Sequence, residues 1–224
     1  MEQLFTFPYS KLYDTNVNGT REIIRFATYS STFIPIHYIS TMSAVDLHHL
    51  KTGYSQSKWV AERLMLKASQ LGLPVIIYRL GSMGPNTETG AYNPNDINTL
   101  LVTTIIETGV YPSMLVDSKM QILPIDIAVQ RILSFYNNQF EQYGQIYSIV
   151  NNHDVIPLQF IFDRIRQLDI SLECISNDAW KTDYFDLFSS YFSKRKLQQN
   201  DNRYENNVYI DKWLLFIQKQ SKNC

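Results

Sequence analysis

Tyr54 and Lys58 have the residue types and the spacing that proton transfer requires. They stand four residues apart at the start of a predicted helix, in the stretch "GYSQSKWVAE", so both side chains lie on one helix face. A tyrosine hydroxyl has an unperturbed pKa of about 10, and a neighbouring ammonium favours the phenolate and lowers that pKa. Such a pair can protonate a carbonyl oxygen while hydride reaches the carbonyl carbon.

A second hydroxyl group stands where it could act on the same oxygen. Ser40 and Thr41 end a predicted strand, fourteen and thirteen residues before Tyr54, and a hydroxyl fixed there would polarise a carbonyl. The competing interpretation is a simple pair on a helix surface, because the chain has 15 tyrosines and about one Tyr-x-x-x-Lys match is expected by chance. The spacing alone leaves both interpretations open.

Alternating strand and helix patterns must position these residues. Short apolar, β-branched or aromatic runs predict strands, and apolar residues on one face predict helices. This alternation predicts an α/β fold with a mostly parallel sheet. The predicted strands cover residues 32–40, 73–80 and 145–151, with a short strand just before Pro124, and the predicted helices cover residues 10–27, 53–71, 97–109 and a segment from Pro124 onward.

The last third of the chain is more polar and its patterns are mostly helical. Helices are predicted over residues 157–168, 177–193 and 208–220, with a polar loop over residues 198–207. Residues 81–96 are rich in glycine, proline and asparagine, which predicts a long turn-rich loop.

The composition excludes several classes of function. The 224 residues carry a formal net charge of -1 and are 45% hydrophobic, which supports a buried core and gives no reason to expect nucleic acid or an anionic membrane as partner. Cys174 and Cys224 supply neither a disulfide framework nor the spacing of metal ligands. No apolar run approaches the roughly 20 residues of a membrane span. We therefore expect a cytoplasmic protein without a resident metal.

Four ordered segments resemble the extended short-chain dehydrogenases/reductases, and more closely their thioester reductase branch. "PYSKLYDTNVNGTREIIRFA" carries the Asn-Val-x-Gly-Thr motif at residues 16–20, and "HYISTMS" is similar to the strand that ends in the catalytic hydroxyl of the family. The third segment runs from "GYSQSKWVAE" to Asp96, and "MQILPIDIAVQRIL" resembles a later helix start. The branch includes the terminal reductase domains of polyketide and peptide synthetases, carboxylic acid reductases, and fatty acyl reductases with a male-sterility-type NAD-binding domain.

The resemblance implies a role for each matching residue. Tyr54 would be the general acid, Lys58 would hold the nicotinamide ribose and tune Tyr54, and Thr41 would bind the carbonyl oxygen. Asn16 and Ser40 would support the cofactor side of the site.

The strand and loop after this helix also resemble the family. Arg79 and Gly81 match in "YRLG" and would contact the cofactor, whereas Leu80 stands where the family usually has proline, whose fixed φ stiffens the turn. The substrate would contact three residues of the loop that follows, Met83, Gly90 and Asn93.

The resemblance further implies a partial Rossmann-type, doubly wound parallel sheet in which the first four strands of the family are absent. Residues 1–150 would be the second half of an NAD(P)-binding domain, and residues 151–224 a small helical lid that binds substrate. The expected cofactor is NADPH or NADH. The glycine-rich turn that holds the pyrophosphate is not found among the 8 glycines. Its nearest imitation, residues 81–84, is followed by Pro85 and a polar loop.

Two functions are consistent with these features. The first is reduction of an acyl thioester, carried on an acyl carrier protein or coenzyme A, to an aldehyde or alcohol. The second is a non-catalytic scaffold that keeps the shape of such a reductase but cannot bind dinucleotide alone. In either case the strand over residues 32–40 would form an apolar sheet edge, so a chain that supplies the first half of the domain is an expected partner.

Overall fold

A computed structural model describes residues 7–29, 31–46, 50–93, 96–137, 142–151 and 155–183. The helix predicted over residues 208–220, the loop predicted over residues 198–207 and most of the helix predicted over residues 177–193 lie outside these ranges.

Helices and strands alternate along the described chain. The helices are α1 (Tyr9–Leu12), α2 (Gly19–Ala27), α3 (Gly53–Gln70), α4 (Ile97–Thr108), α5 (Ile125–Tyr136), α6 (Leu158–Arg166) and α7 (Asn177–Asp183), with a π-helical turn over Tyr13–Asn18 and 3-10 turns over Met42–Ala44 and Ser113–Leu115. The strands are β1 (Ile36–Thr41), β2 (Val75–Leu80), β3 (Met83–Gly84), β4 (Val110–Pro112), β5 (Lys119–Gln121), β6 (Leu123–Pro124), β7 (Ile146–Ile149), β8 (Val155–Pro157) and β9 (Glu173–Ile175). Among the helices in these ranges, none has the length and apolar character needed to cross a bilayer.

The contacts within the chain divide it into two units. One comprises Met1–Ser82 and Ile127–Val150, and the other comprises Met83–Asp126 and Asn151–Cys224. Residues 83–126 therefore group with the segment after residue 150, whereas the sequence predicts a division at residue 150. As a boundary between catalytic and substrate-binding functions, that division stays a prediction.

A three-stranded parallel sheet forms the centre of the first unit. Its strand order is β1-β2-β7, and β1 pairs with β2 from Ile36 opposite Val75 to Thr41 opposite Leu80. The first four residues of β2 are each at most 1% exposed, as expected for a strand covered on both faces. The predicted α/β class and parallel sheet are confirmed, and the three long predicted strands are present with slightly different ends.

Two helical segments carry the chemistry-bearing residues of this unit. The helix predicted over residues 53–71 is α3, and it begins at a capping box in which the Thr52 and Ser55 side chains satisfy backbone N–H groups at the helix start. The helix predicted over residues 10–27 is instead interrupted, because a π-helical turn closed by the Gly19 N–H and the Asp14 carbonyl separates α1 from α2. Single π turns of this kind occur often at functional sites.

The second unit has its own apolar core between α4 and α6. Ile105, Ile161 and Phe162 are each at most 1% exposed in this core, and burying one such side chain contributes about 1.5–3 kcal/mol. Short strands pair around it, with β3 parallel to β6, β4 parallel to β9 and β5 antiparallel to β8. The sequence analysis missed five of these six strands, since two or three residues are too few to show a periodicity.

The start of α3 depends on the absence of a side chain at Gly53. A Cβ at this position would lie 2.1 Å from the Phe7 carbonyl oxygen and 2.5 Å from the Tyr9 amide nitrogen. We expect Gly53→Ala to lower the free energy of unfolding by about 1–3 kcal/mol through overpacking, measured by urea denaturation of the full chain.

Gly19→Ala is the matched control, because its Cβ would meet no atom closer than the Asp14 carbonyl oxygen at 3.8 Å. Alanine suits a helix better than glycine, so we expect this variant to gain about 0.5–1 kcal/mol. Equal effects of the two substitutions would show that the approach of residues 7–9 does not constrain α3.

Candidate active site

The buried carboxylate of Glu62 joins α3 to the ends of two strands. Its side chain is 0% exposed and accepts hydrogen bonds from Ser40 Oγ at 2.6 Å, Arg79 Nε at 3.1 Å, Arg79 Nη2 at 2.6 Å and Arg63 Nη2 at 2.9 Å. Ser40 and Arg79 are opposite each other in the β1–β2 pairing. One carboxylate therefore fixes the helix against both strands at the same level.

The environment of Glu62 keeps this group ionised. Burial raises the pKa of a carboxyl group, but the hydrogen bonds from Arg79, Ser40 and Arg63 and the charge of Arg79 lower it further, so the pKa of Glu62 lies below its ordinary value. At neutral pH the cluster is thus a carboxylate matched by guanidinium groups.

Tyr54 and Thr41 meet at the end of β1. Burial raises the pKa of Tyr54 and the nearby Thr41 side chain lowers it, with a raised pKa as the result. The Thr41 hydroxyl is itself 2.9 Å from Ser43 Oγ. The Tyr54 side chain is still 38% exposed. A protonated, partly accessible phenol beside a second hydroxyl has the form of a general acid with a partner that polarises the same oxygen.

Lys58 points its ammonium at β1. Lys58 Nζ donates to the Ile39 carbonyl oxygen at 2.7 Å and to Tyr38 Oη at 3.2 Å. Burial lowers the pKa of Lys58, and the charge of Glu62 opposes that change without reversing it. The sequence predicts that Lys58 lowers the pKa of Tyr54, whereas burial makes the pKa of Tyr54 higher than its ordinary value.

Asn16 links the π-helical turn to α3. Its Nδ2 donates to Ser57 Oγ at 2.9 Å, and Ser57 Oγ in turn donates to the Tyr54 carbonyl oxygen at 3.0 Å. The carbonyl oxygen of Asn16 accepts a bond from Thr20 Oγ1 at 2.7 Å. The turn that carries Asn16 is therefore anchored to the first turns of α3, next to Tyr54.

The structure brings together the residues predicted for catalysis and for the cofactor in the first unit. Thr41 and Tyr54 are in contact, Asn16 reaches the α3 backbone through Ser57, and the side chains of Ser40 and Arg79 bind Glu62. A Cβ on Gly81 would lie 3.0 Å from Val150 Cγ1, so this position is closely packed. The roles of these residues toward cofactor and substrate stay predictions.

The three residues predicted to contact substrate belong to the second unit. Met83 lies in β3. Gly90 has a φ of +71°, and its N–H donates to the Asn86 carbonyl oxygen in a turn. The Asn93 carbonyl oxygen accepts a hydrogen bond from the Asp96 N–H. The loop between them is anchored, because the Thr87 N–H and hydroxyl both donate to the Asp126 carboxylate, at 2.9 and 2.5 Å. Their contact with substrate stays a prediction.

Sequence reasoning missed Glu62 and Tyr38. Glu62 carries a weak signal, because it follows Lys58 by four residues on the same helix face and Arg79 in an otherwise apolar strand needs a buried counter-charge. Tyr38 carries none, since an aromatic residue is ordinary in a strand.

The described residues fit one end of a nicotinamide dinucleotide. The ammonium of Lys58 could donate to ribose hydroxyls, and the partly exposed hydroxyl of Tyr54 could donate a proton to a reacting oxygen. In the described ranges, no glycine-rich turn leads from a strand into a helix where pyrophosphate could bind, because residues 83–84 form β3 and a turn follows. The fit is therefore to the nicotinamide and its ribose.

The sequence has relatives among biosynthetic reductases. A family model of NAD-binding domains, described as Male sterility protein, matches residues 4–51 and 42–132. The glycine betaine reductase of Emericella nidulans is 29% identical over 192 residues, which are 78% of this chain and 15% of that protein. A subunit of the linear gramicidin synthase of Brevibacillus parabrevis is 31% identical over 194 residues, which are 79% of this chain and 4% of that protein.

Solved reductase domains share the fold. The terminal R domain from the myxalamid PKS-NRPS biosynthetic pathway superposes with a TM-score of 0.71 at 30% identity, over 96% of this chain and 54% of that domain. A thiolation-reductase di-domain from an archaeal non-ribosomal peptide synthetase superposes with a TM-score of 0.66 at 20% identity, again over 96% and 54%. The chain thus spans about half the length of these solved chains and a small part of the length of the curated relatives. The superpositions confirm its Rossmann-type fold class.

Replacing the buried Glu62 carboxylate should destabilise the folded protein. We expect Glu62→Gln to lower the free energy of unfolding by about 3–5 kcal/mol, because it leaves the Arg79 charge without its partner. The folded-state pKa of Glu62 is lowered, so its contribution is complete above the unfolded value of about 4.3 and is lost as the pH falls through the folded value. The difference in the free energy of unfolding between the two proteins should therefore begin to shrink as the pH falls below about 4.3.

Glu22→Gln is the matched control, because Glu22 pairs with Arg25 on the surface, where their side chains are 64% and 76% exposed. We expect its stability to stay within about 0.5 kcal/mol of the wild type. A Glu62→Gln protein as stable as this control would refute the anchoring role of Glu62.

Proposed function

Because the chain belongs to the NAD-binding family described as Male sterility protein, within the thioester reductase branch of the extended short-chain dehydrogenases/reductases, we propose that it forms the catalytic part of an NAD(P)H-dependent reductase of acyl thioesters. The observation that carries the proposal is the protonated, partly exposed Tyr54 beside Thr41, with Lys58 one turn further along the same helix.

In the proposed reaction the protein residues act on the thioester oxygen. A bound nicotinamide supplies hydride to the carbonyl carbon. The hydroxyls of Tyr54 and Thr41 donate hydrogen bonds to the oxygen while it becomes negative, and they stabilise the tetrahedral species more than the planar thioester. When the C–S bond breaks and the carbonyl re-forms, the thiolate leaves and takes up a proton from solvent, so the products are an aldehyde and a thiol. Reduction of the aldehyde to an alcohol would use the same acid, with Tyr54 donating its proton to the oxygen.

The remaining residues have proposed supporting roles. Lys58 would hold the nicotinamide ribose, with Asn16 and Gly81 at the same side of the cofactor. Ser40 and Arg79 would act on the cofactor side by fixing Glu62, and therefore α3, in place. We propose NADPH or NADH as the cofactor, which the NAD-binding family supports.

We propose an acyl carrier protein or coenzyme A thioester as substrate. The names of two similar proteins, a gramicidin synthase subunit and a thiolation-reductase di-domain, support a carrier-bound substrate. Met83, Gly90 and Asn93 would contact the acyl chain or its carrier arm, and residues 151–224 would form the lid.

We also propose a partner segment that pairs with β1. In the part of the chain that the structure describes, β1 pairs with β2 alone, and Ile39 in β1 is 42% exposed. An apolar sheet edge of this kind favours addition of another strand, and a chain with the first half of a Rossmann domain would supply one.

A second candidate function is a non-catalytic scaffold. It is favoured by the 8 glycines of the sequence, none of which forms a pyrophosphate-binding turn. Dinucleotide binding separates the two candidates, because a scaffold without this turn has no reason to bind NADPH.

Calorimetric titration of the full chain with NADPH and NADH tests the proposal. We expect a micromolar Kd for one of them and a loss of at least about tenfold in Lys58→Ala, because a charged hydrogen bond to the ribose is removed. Tyr54→Phe should bind within about threefold of the wild type, since its hydroxyl acts in the reaction. Lys67→Ala, at an exposed position of the same helix, is the control and should bind normally. A folded chain that binds neither dinucleotide would overturn the proposal.

The pH dependence of binding should identify Lys58. Burial lowers the pKa of Lys58, so its ammonium loses a proton as the pH rises through a midpoint below about 10.4. Dinucleotide binding should weaken over the same pH range. Arginine stays charged over this range, so Lys58→Arg should bind more weakly but without the alkaline loss. An unchanged alkaline midpoint in Lys58→Arg would contradict the assignment.

A further inference from the structure

The ammonium of Lys58 rests against one aromatic side chain of β1. Lys58 Nζ is 3.2 Å from Tyr38 Oη and 4.7 Å from the centroid of the Tyr38 ring. It also donates to the neighbouring Ile39 carbonyl oxygen at 2.7 Å. The hydroxyl, the ring face and the carbonyl therefore contact a single ammonium, and two of these three contacts come from Tyr38.

We propose that Tyr38 is a positioning residue for Lys58: its hydroxyl and ring hold the ammonium against β1, one helical turn from Tyr54. The importance of this position for catalysis rests on the proposed function, whereas the contact itself does not. Lysine is flexible, and ordering its side chain costs conformational entropy. With a single hydrogen bond to the Ile39 carbonyl, the Lys58 ammonium could still rotate about that oxygen. The contacts with Tyr38 restrict this rotation.

The Thr20 side chain lies beside the Tyr38 hydroxyl. It lowers the pKa of Tyr38 against the larger effect of burial, and the Thr20 hydroxyl donates its proton to the Asn16 carbonyl oxygen at 2.7 Å. Because the Thr20 proton is used in this bond, the lone pairs of Tyr38 Oη remain for Lys58. The Tyr38 hydroxyl therefore lies between the Lys58 ammonium and the Thr20 side chain, which is bonded to the π-helical turn.

The charges around Lys58 suit this arrangement. Burial raises the pKa of Tyr38 to about 12, and the Glu62 charge and Tyr54 add to the rise. Tyr38 thus stays a neutral acceptor across the range in which Lys58 titrates. Two of the three N–H donors of Lys58 are used by β1, which leaves one for a ribose hydroxyl.

The reactivity of Lys58 toward acetic anhydride measures its position without any cofactor or substrate. Acylation of the full chain at several pH values, with peptide mass spectrometry, gives a rate for Lys58 relative to the exposed Lys67. In Tyr38→Phe we expect this relative rate to rise about tenfold, because the ammonium loses a charged hydrogen bond. Its pH profile should shift toward lower pH, since the neutral amine forms more easily.

Tyr78→Phe is the matched control. Tyr78 is a buried tyrosine of the adjacent strand, its pKa is also raised to about 12, and its hydroxyl bonds His37 at 2.9 Å. This variant loses a comparable buried hydroxyl that makes none of the described contacts with Lys58, so the Lys58 rate should change less than about twofold. An equal rise in both variants, or no rise in Tyr38→Phe, would overturn the proposal.

Thr20→Val provides a second variant if Tyr38→Phe folds poorly. It removes the hydroxyl that lies beside Tyr38 Oη, so we expect a smaller rise in Lys58 acylation in the same direction. Unchanged acylation in Thr20→Val, together with unchanged acylation in Tyr38→Phe, would contradict the positioning role of Tyr38. If the labelling pattern holds while calorimetry finds no dinucleotide binding, Tyr38 positions Lys58 and the reductase assignment fails.

Discussion

The fully buried carboxylate of Glu62 and its two arginine partners are the constraint from which the site follows. Glu62 has no exposed surface and is balanced by Arg79 and Arg63, with Ser40 as a fourth member. Burying a carboxylate costs desolvation free energy. Removing one partner of the pair leaves the other charge buried without compensation, which destabilises the folded state. The cluster therefore tolerates one register of α3 on the sheet, the register that places Glu62 between Ser40 and Arg79.

The rest of the site is set by the helical repeat. Tyr54, Lys58 and Glu62 follow one another at intervals of four residues in α3, so they lie along one face. Once Glu62 is fixed at the level of Ser40, Lys58 reaches the backbone of residue 39 and Tyr54 reaches Thr41 at the strand end. A charge deep in the fold and an accessible acid at its surface are thus positioned by the same helix.

The sequence predicts more of the fold than of the site. The sequence predicts strands such as β2 because short apolar runs rich in β-branched residues favour strands. It predicts α3 from the apolar face of the helix and the glycine beyond its end. The π-helical turn at Asn16 is not readable, because its residues are ordinary for a helix and the extra backbone position depends on packing against α3. Glu62 is hidden for a similar reason, since a glutamate is a good helix former on any face. The pKa direction of Tyr54 could not be inferred from spacing, because burial decides it.

Hydride transfer from a labelled cofactor is the decisive test of Tyr54 as the acid of a thioester reductase. The full chain, with NADPH or NADH deuterated at the transferred position and an acyl thioester, is assayed by mass spectrometry of the product. We expect one deuterium on the carbonyl carbon of the aldehyde, released together with free thiol, and a rate about 100-fold or more lower in Tyr54→Phe. Product without deuterium, a Tyr54→Phe protein as fast as the wild type, or no product at saturating dinucleotide would contradict this role.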